Sequence, residues 1–195
     1  MKKSHAILLL VALIGATPVF SQKIKLIQGD LSSLKGQTSI ATQFVYDGLV
    51  VGKNNEAEAD YVKEKTTEYN NKTPGKGDTW AKAWVSDRSD KYEPRFNGVF
   101  TKEVGMTVDP KAKYTLIVKT VSLEPGFNVG VASHSADITG EAWLVETANP
   151  SNIVAKLSFT KAPGRMFGAD FDTGIRIQEC YATAARALGK FMSKS

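Results

Sequence analysis

The sequence predicts an α+β domain, a mixed, mostly antiparallel sheet of about five strands packed with three to four helices, the long C-terminal helix lying on the sheet. Three observations predict it. Ile153–Thr160 sets Ile153, Ala155, Leu157 and Phe159 on one face against Val154, Lys156, Ser158 and Thr160 on the other, the period-two pattern of a half-buried strand. A glycine-bearing turn follows over Lys161–Asp170. Ile177, Tyr181, Ala184, Leu188 and Phe191 then recur at helical spacing through Thr173–Met192. A strand, a turn and a long apolar helix in that order bury their surfaces against a sheet.

The chain opens with the pattern of an export signal. Lys2 and Lys3 supply the basic region, Ala6–Ile14 the apolar run, and Val19 and Ser21 the small residues a signal peptidase inspects. Cleavage is expected after Ser21 or Gln22, leaving residues 23–195 as one domain, soluble in the periplasm or outside the cell. No cysteine stands near that point to carry a lipid anchor, and no later stretch is long and apolar enough to span a membrane. Loss of Lys2 and Lys3 takes the formal charge from +5 to +3. The remaining charges alternate in sign, as over Asp87, Arg88, Asp90 and Lys91, which argues against a nucleic-acid partner.

His5 leaves with the signal, so one histidine, His134, and one cysteine, Cys180, remain. Two such residues far apart in sequence do not make a zinc site, and one cysteine makes no internal disulfide. No metal and no cofactor is expected. Cys180 reads as a small apolar side chain on the inner face of the C-terminal helix.

Along the chain, Lys23–Gln28 alternates as a short first strand, and the segment closed by Gly36 reads as one helical turn. Thr38–Tyr46 alternates Ile40, Thr42, Phe44 and Tyr46 against Ala41, Gln43 and Val45, a second strand. Asn55–Asn71 has a thin apolar stripe of Ala59, Val62 and Tyr69 and reads as a surface helix. Pro74 and two glycines break it, and Asp78 is placed to cap the next helix. Trp80, Trp84 and Val85 precede Pro94, and Phe96, Val99 and Phe100 follow it. The prediction is two helices, Asp78–Ser89 and Glu93–Glu103, with the aromatic rings packed on the sheet. Tyr114–Leu123, apolar on both faces, predicts a central strand. Ser135–Glu146 predicts another, turned back by Asn149–Asn152 into the Ile153 strand.

Lys113–Leu123, the hairpin Ala136–Phe159, the turn Gly164–Gly168 and the helix Thr173–Met192 together resemble the C-terminal half of small secreted envelope proteins of unknown function. More loosely, they are similar to the α/β domains of curli-secretion and TolB-type periplasmic assembly factors. The resemblance implies the fold and the compartment and carries over no catalytic residue. A lipid-anchoring cysteine is common in that wider group, and its absence here weighs against a membrane-attached, channel-forming role.

Phe171–Gly174 spells the string of an aspartic-protease loop, yet helical periodicity follows it and no second copy exists, so Asp172 or Thr173 reads as a helix cap. The glycines at 75 and 77 lack the strand and the spacing of a phosphate-binding loop. The candidate binding residues cluster at the turn into the last helix: Gly164, Arg165, Gly168, Asp170, Asp172 and Arg176. Backbone amides of such a turn meeting a helix N-terminus can hold an anion, while the plainer reading is that glycine eases the passage from strand to helix. No catalytic residue is assigned. The expected function is a non-catalytic binding or envelope-assembly module whose partner is a protein or an envelope polymer. The alternative is a hydrolase acting on an extracellular polymer, working through carboxylates such as Asp170, Asp172 or Glu179.

Overall fold

The structure, a computed structural model, describes residues 23–128, 132–164 and 173–194. The expected signal segment therefore lies outside the described residues. Among the described residues, ten strands and four α-helices run in the order β1 (Lys23–Gly29), β2 (Ser39–Val45), β3 (Val50–Val51), β4 (Glu56–Ala57), α1 (Glu58–Lys72), α2 (Lys76–Asp87), α3 (Glu93–Val104), β5 (Thr107–Val108), β6 (Tyr114–Glu124), β7 (Phe127–Asn128), β8 (Ser133–His134), β9 (Ala136–Glu146), β10 (Asn149–Gly164) and α4 (Thr173–Met192). Eight strands form one mixed sheet in the order β1-β10-β9-β6-β2-β5, with β3 beside β6 and β4 beside β3, and β7 and β8 pair separately. The expectation of about five strands is corrected. β3, β4, β5, β7 and β8 are two residues each, too short for periodicity to register.

β6 sits at the centre, antiparallel to β9 and parallel to β2. Joining parallel neighbours takes a long crossover, and the helical stretch between β2 and β6 supplies it. On β9, Ala136, Ile138, Ala142 and Leu144 are buried while Asp137, Thr139, Glu141 and Trp143 are half-buried. The core forms where Ile40, Leu116, Val118, Leu157 and Phe159 of the sheet meet Phe96, Phe100, Ile177, Tyr181 and Leu188 of α3 and α4. The opposite face carries Trp143, whose ring lies 5.0 Å from the Lys156 ammonium and whose indole N–H donates to Glu141 at 3.0 Å.

Three expected boundaries are corrected. The two expected helices are present, but α2 starts at Lys76 and ends at Asp87, a π-helical turn over Arg88–Tyr92 links it to α3, and Pro94 falls in the first turn of α3, where its missing N–H costs nothing. Asp78 does not cap α2; Gly75, in the left-handed region at φ 79°, stands at that position, and Asp78 accepts a hydrogen bond from Asn70 instead. Asn149–Asn152 belongs to β10, which also runs past Thr160 to Gly164. Irregular register at both ends, with Lys161 at φ 48°, hides the strand from a strict period-two reading. α4 spans Thr173–Met192 as predicted, and Cys180 is fully buried on its inner face. Among the described residues no helix is long and apolar enough to cross a membrane.

Candidate functional site: an aromatic hollow between two helices

α1 buries none of its residues completely and meets the rest of the protein chiefly through α2. Their approach depends on Gly77, where a Cβ would stand 2.0 Å from the Thr66 carbonyl oxygen. The Gly77 N–H donates to Asn70 Oδ1 at 2.7 Å, while Asn70 Nδ2 donates to Asp78 at 3.2 Å. One asparagine thus ties the end of α1 to the start of α2. Tyr61 and Tyr69 of α1 then meet Trp80 and Trp84 of α2, with Tyr69 and Trp80 5.5 Å apart at 71° and the two indoles 5.3 Å apart at 39°. Edge-to-face and tilted pairs satisfy the ring quadrupoles and hold the walls in place.

Polar anchors fix the lower end. Trp84 Nε1 donates to Glu58 Oε1 at 2.7 Å, and Glu58 pairs with Arg88, whose guanidinium lies 4.2 Å from the Tyr46 ring centre. Asp87, buried, pairs with Lys91 at 3.1 Å. Its carboxylate also presses on the first turn of α4, where a Cβ on Gly174 would meet Asp87 Oδ2 at 1.9 Å. A helix N-terminus favours an anion, so glycine at this position admits the acid that the dipole attracts. Behind it Tyr92 stacks on Tyr181 at 5.2 Å and 5°, and Tyr181 shares a 2.7 Å hydrogen bond with Thr120. Burial pushes the phenols of Tyr92 and Tyr181 up, so both stay neutral.

What remains between these elements is a cavity of about 630 Å³ lined by Tyr69, Trp80, Trp84 and Tyr92, with Asp87 among them and Lys72, Lys76 and Lys91 beside the rings. That volume falls in the range of small-molecule sites. The Lys72 and Lys76 ammoniums each lie 6.0 Å from the Tyr69 ring centre. A smaller cleft of about 370 Å³ is lined by His134, Asp137, Lys161 and Pro163 together with Ser133, Ser135 and Ala136. Burial raises the Asp137 carboxyl above its ordinary range, with Lys161 opposing the shift. Among the described residues no group of three His, Cys, Asp or Glu side chains could hold a metal.

Of the candidate binding residues singled out in the sequence, Gly164 and Arg176 fall among the described residues. Gly164 ends β10 where a Cβ would stand 2.0 Å from the Arg176 carbonyl oxygen and 2.7 Å from Cys180 Sγ, so the strand passes α4 at glycine distance. Arg176 is buried, and its guanidinium donates to the carbonyls of Pro125 at 3.2 Å and Gly126 at 3.3 Å and to Thr173 Oγ1 at 3.4 Å. It holds the turn after β6 against α4. Arg165, Gly168, Asp170 and Asp172 lie outside the described residues. Glu179, a candidate carboxylate of the hydrolase alternative, pairs with Arg95 at 3.0 Å.

The expectation that the aromatic stripe packs on the sheet divides in two. Phe96 and Phe100 are fully buried in the core and Trp84 is buried at its edge, whereas Trp80 is only half-buried; both indoles meet α1 and wall the cavity. Indoles one helical turn apart, with Lys76 one turn before Trp80, were the available signal. Periodicity shows that a helix has an apolar face and says nothing of what that face meets.

No family model matches the chain, and no curated protein matches it. Among solved structures, the PelC dodecamer from Paraburkholderia phytofirmans is similar at 10% identity over 89% of this chain and 98% of that one, with a TM-score of 0.42. A variant of the same PelC dodecamer gives 9% identity, the same coverage and a TM-score of 0.41. Values this low describe a distant likeness of shape, from which nothing about this chain's activity or assembly follows.

Proposed function

We propose that this protein is a non-catalytic binding module of the cell envelope that holds a segment of an envelope polymer in the aromatic hollow lined by α1, α2, the π-helical turn and the first turn of α4. The observation that supports this reading is the cavity itself, with two indoles and two phenols walling a space of ligand size. Rigid aromatic faces offer large contact area at little entropic cost, which suits retention of a ligand. The same proposal includes removal of residues 1–22 as an export signal, residence in the periplasm or outside the cell, and the relationship to periplasmic assembly factors.

Purified protein should co-sediment with polysaccharide or peptidoglycan prepared from envelopes of the producing cells. Trp80→Ala should abolish co-sedimentation with the fold retained by circular dichroism, and no soluble fragments should be released on long incubation. Failure to sediment with any fraction, or undiminished binding by Trp80→Ala, overturns the reading.

One observation favours the hydrolase alternative. Asp137, its carboxyl raised by burial, shares a cleft with His134, and a carboxyl shifted in that direction inside a cleft is a candidate general acid. Release of polymer fragments that stops in Asp137→Asn, with thermal stability preserved, would establish it. Fragment release that continues unchanged in Asp137→Asn would dismiss this cleft.

A further inference from the structure

We infer that the open stretch of β2 is a strand-addition site, taking a short, uncharged, extended segment of a partner protein as the next strand of the sheet. The inference is independent of the hollow and starts from the direction of the backbone groups. The Thr38 carbonyl accepts from the Thr107 N–H at 2.9 Å and the Ile40 carbonyl from the Asp109 N–H at 3.1 Å, so the even-numbered residues at the start of β2 turn toward β5. Backbone direction alternates along a strand, and Ala41–Val45 pairs in unbroken register with β6. Thr42 and Phe44 therefore turn their N–H and C=O groups away from β6, to the side where β5 has ended. Among the described residues no strand pairs with them there. Farther on, β4 lies on that same side beside β3, which like β2 pairs with β6. The open stretch is thus the five residues Ala41–Val45, roughly 17 Å long.

The two edges of the sheet differ in how they are protected. β1 carries Lys23, Lys25 and a bulge, whereas β2 has no charged residue, no proline, no glycine and no irregularity of register. An edge without those devices is a ready template for another strand. At the β5 end, α3 and β5 form a notch of about 310 Å³ lined by Asn97, Gly98, Thr101, Met106, Thr107 and Val108, none of them charged. A Cβ on Gly98 would meet nothing within 4 Å, so side chains can enter above it. These surroundings select the occupant. Outward N–H and C=O groups on alternate residues fit extended backbone, the uncharged strand and notch offer a charged side chain no partner, and β5 and β4 at the two ends limit the length. A second copy would bring either β1 with its lysines or β2 with its own β5 and β4 into the same narrow place. A short neutral segment of another protein meets neither obstacle.

Amide hydrogen exchange followed by NMR tests it. In the free protein the Thr42 and Phe44 amides should exchange at least about tenfold faster than those of Gln43 and Val45, which face β6. Capped heptapeptides selected against the protein from a phage-displayed random library should be uncharged at their central positions, bind saturably, and slow exchange at Thr42 and Phe44. Thr42→Pro removes one outward N–H and sets a ring where the added strand would lie. The melting temperature should hold, because a proline is tolerated where the N–H faces off the sheet, while peptide affinity falls at least about tenfold. Gln43→Pro, which breaks a bond to β6, should lower the melting temperature. The inference is overturned if Thr42 and Phe44 are protected in the free protein, if no peptide is selected, or if the selected peptides are charged or slow exchange elsewhere. It is also overturned if Thr42→Pro binds the peptides undiminished or destabilises as much as Gln43→Pro. Protection that grows with protein concentration in the absence of peptide would assign the edge to a second copy and overturn it as well.

Discussion

Cys180 illustrates how one side chain couples packing to pH. It is fully buried on α4 beside Gly164, and burial raises its thiol well above the ordinary value of 9.0. The folded protein therefore keeps this proton at a pH where the unfolded chain releases it. The side chain's contribution to stability is whole below about pH 9 and is lost as the pH rises beyond it. A thiol reagent added to native protein at neutral pH should label Cys180 only as fast as the chain unfolds, whereas in denaturant labelling should be immediate. Fast stoichiometric labelling of native protein would place the thiol at the surface. Glu68 shows the opposite sign. Hydrogen bonds from Lys65 and Lys72 hold its carboxyl down at about 2, so their support persists through mild acid, though on an exposed helix face its value is small.

Among the elements α4 carries the core. Gly174, Ile177, Cys180, Tyr181, Ala184, Ala185, Leu188 and Met192 are all buried along it. Small residues bring it close to its neighbours: a Cβ on Gly189 would stand 2.5 Å from Glu103 Cβ on α3. Leu188 is fully buried within that contact region. Leu188→Ala should cost about 2–5 kcal/mol in chemical unfolding, the sum of lost apolar burial and the cavity left behind. A midpoint unchanged within error would show α4 to be peripheral. α1 stands at the other extreme, with no fully buried residue and ion pairs along its surface. Its place depends on aromatic contacts with α2 and on Asn70, so a ligand seated on Tyr69 and Trp80 would also brace α1.

At the scale of the whole molecule, the proposed export and the fold make compatible demands on one boundary. β1 begins at Lys23, pairs with Thr160 there and continues along β10 to Gly29. Cleavage after Ser21 or Gln22 leaves every described pair of that strand intact. Intact-mass measurement of protein recovered from the producing cells should give a chain starting at Gln22 or Lys23. A mass that includes the run Ala6–Ile14, in a protein that pellets with membranes, would defeat the export proposal. β1 is an edge strand with Leu26 and Ile27 exposed. Its lysines and the bulge between Leu26 and Gln28 are the features that discourage edge-to-edge association.

Local pattern alone determined the long elements. The C-terminal limit of α4, the central place of β6, the β9–β10 hairpin and the burial of Cys180 all follow from periodicity and composition, because burying one face of a long element imposes its period on the sequence. The two-residue strands escaped that test, since their pairing is set by where neighbours lie and not by their own residues. The same limit hid the hollow. Trp80 and Phe96 are equal evidence of an apolar helix face, and only the packing of α1 on α2 through Gly77 sends one toward a cavity while the other enters the core. Arg176 makes the point for charge: its sequence position near a helix start suggested a carboxylate or a ligand, and the fold adds carbonyl acceptors at Pro125 and Gly126, about fifty residues away, a partnership that only the folded chain creates.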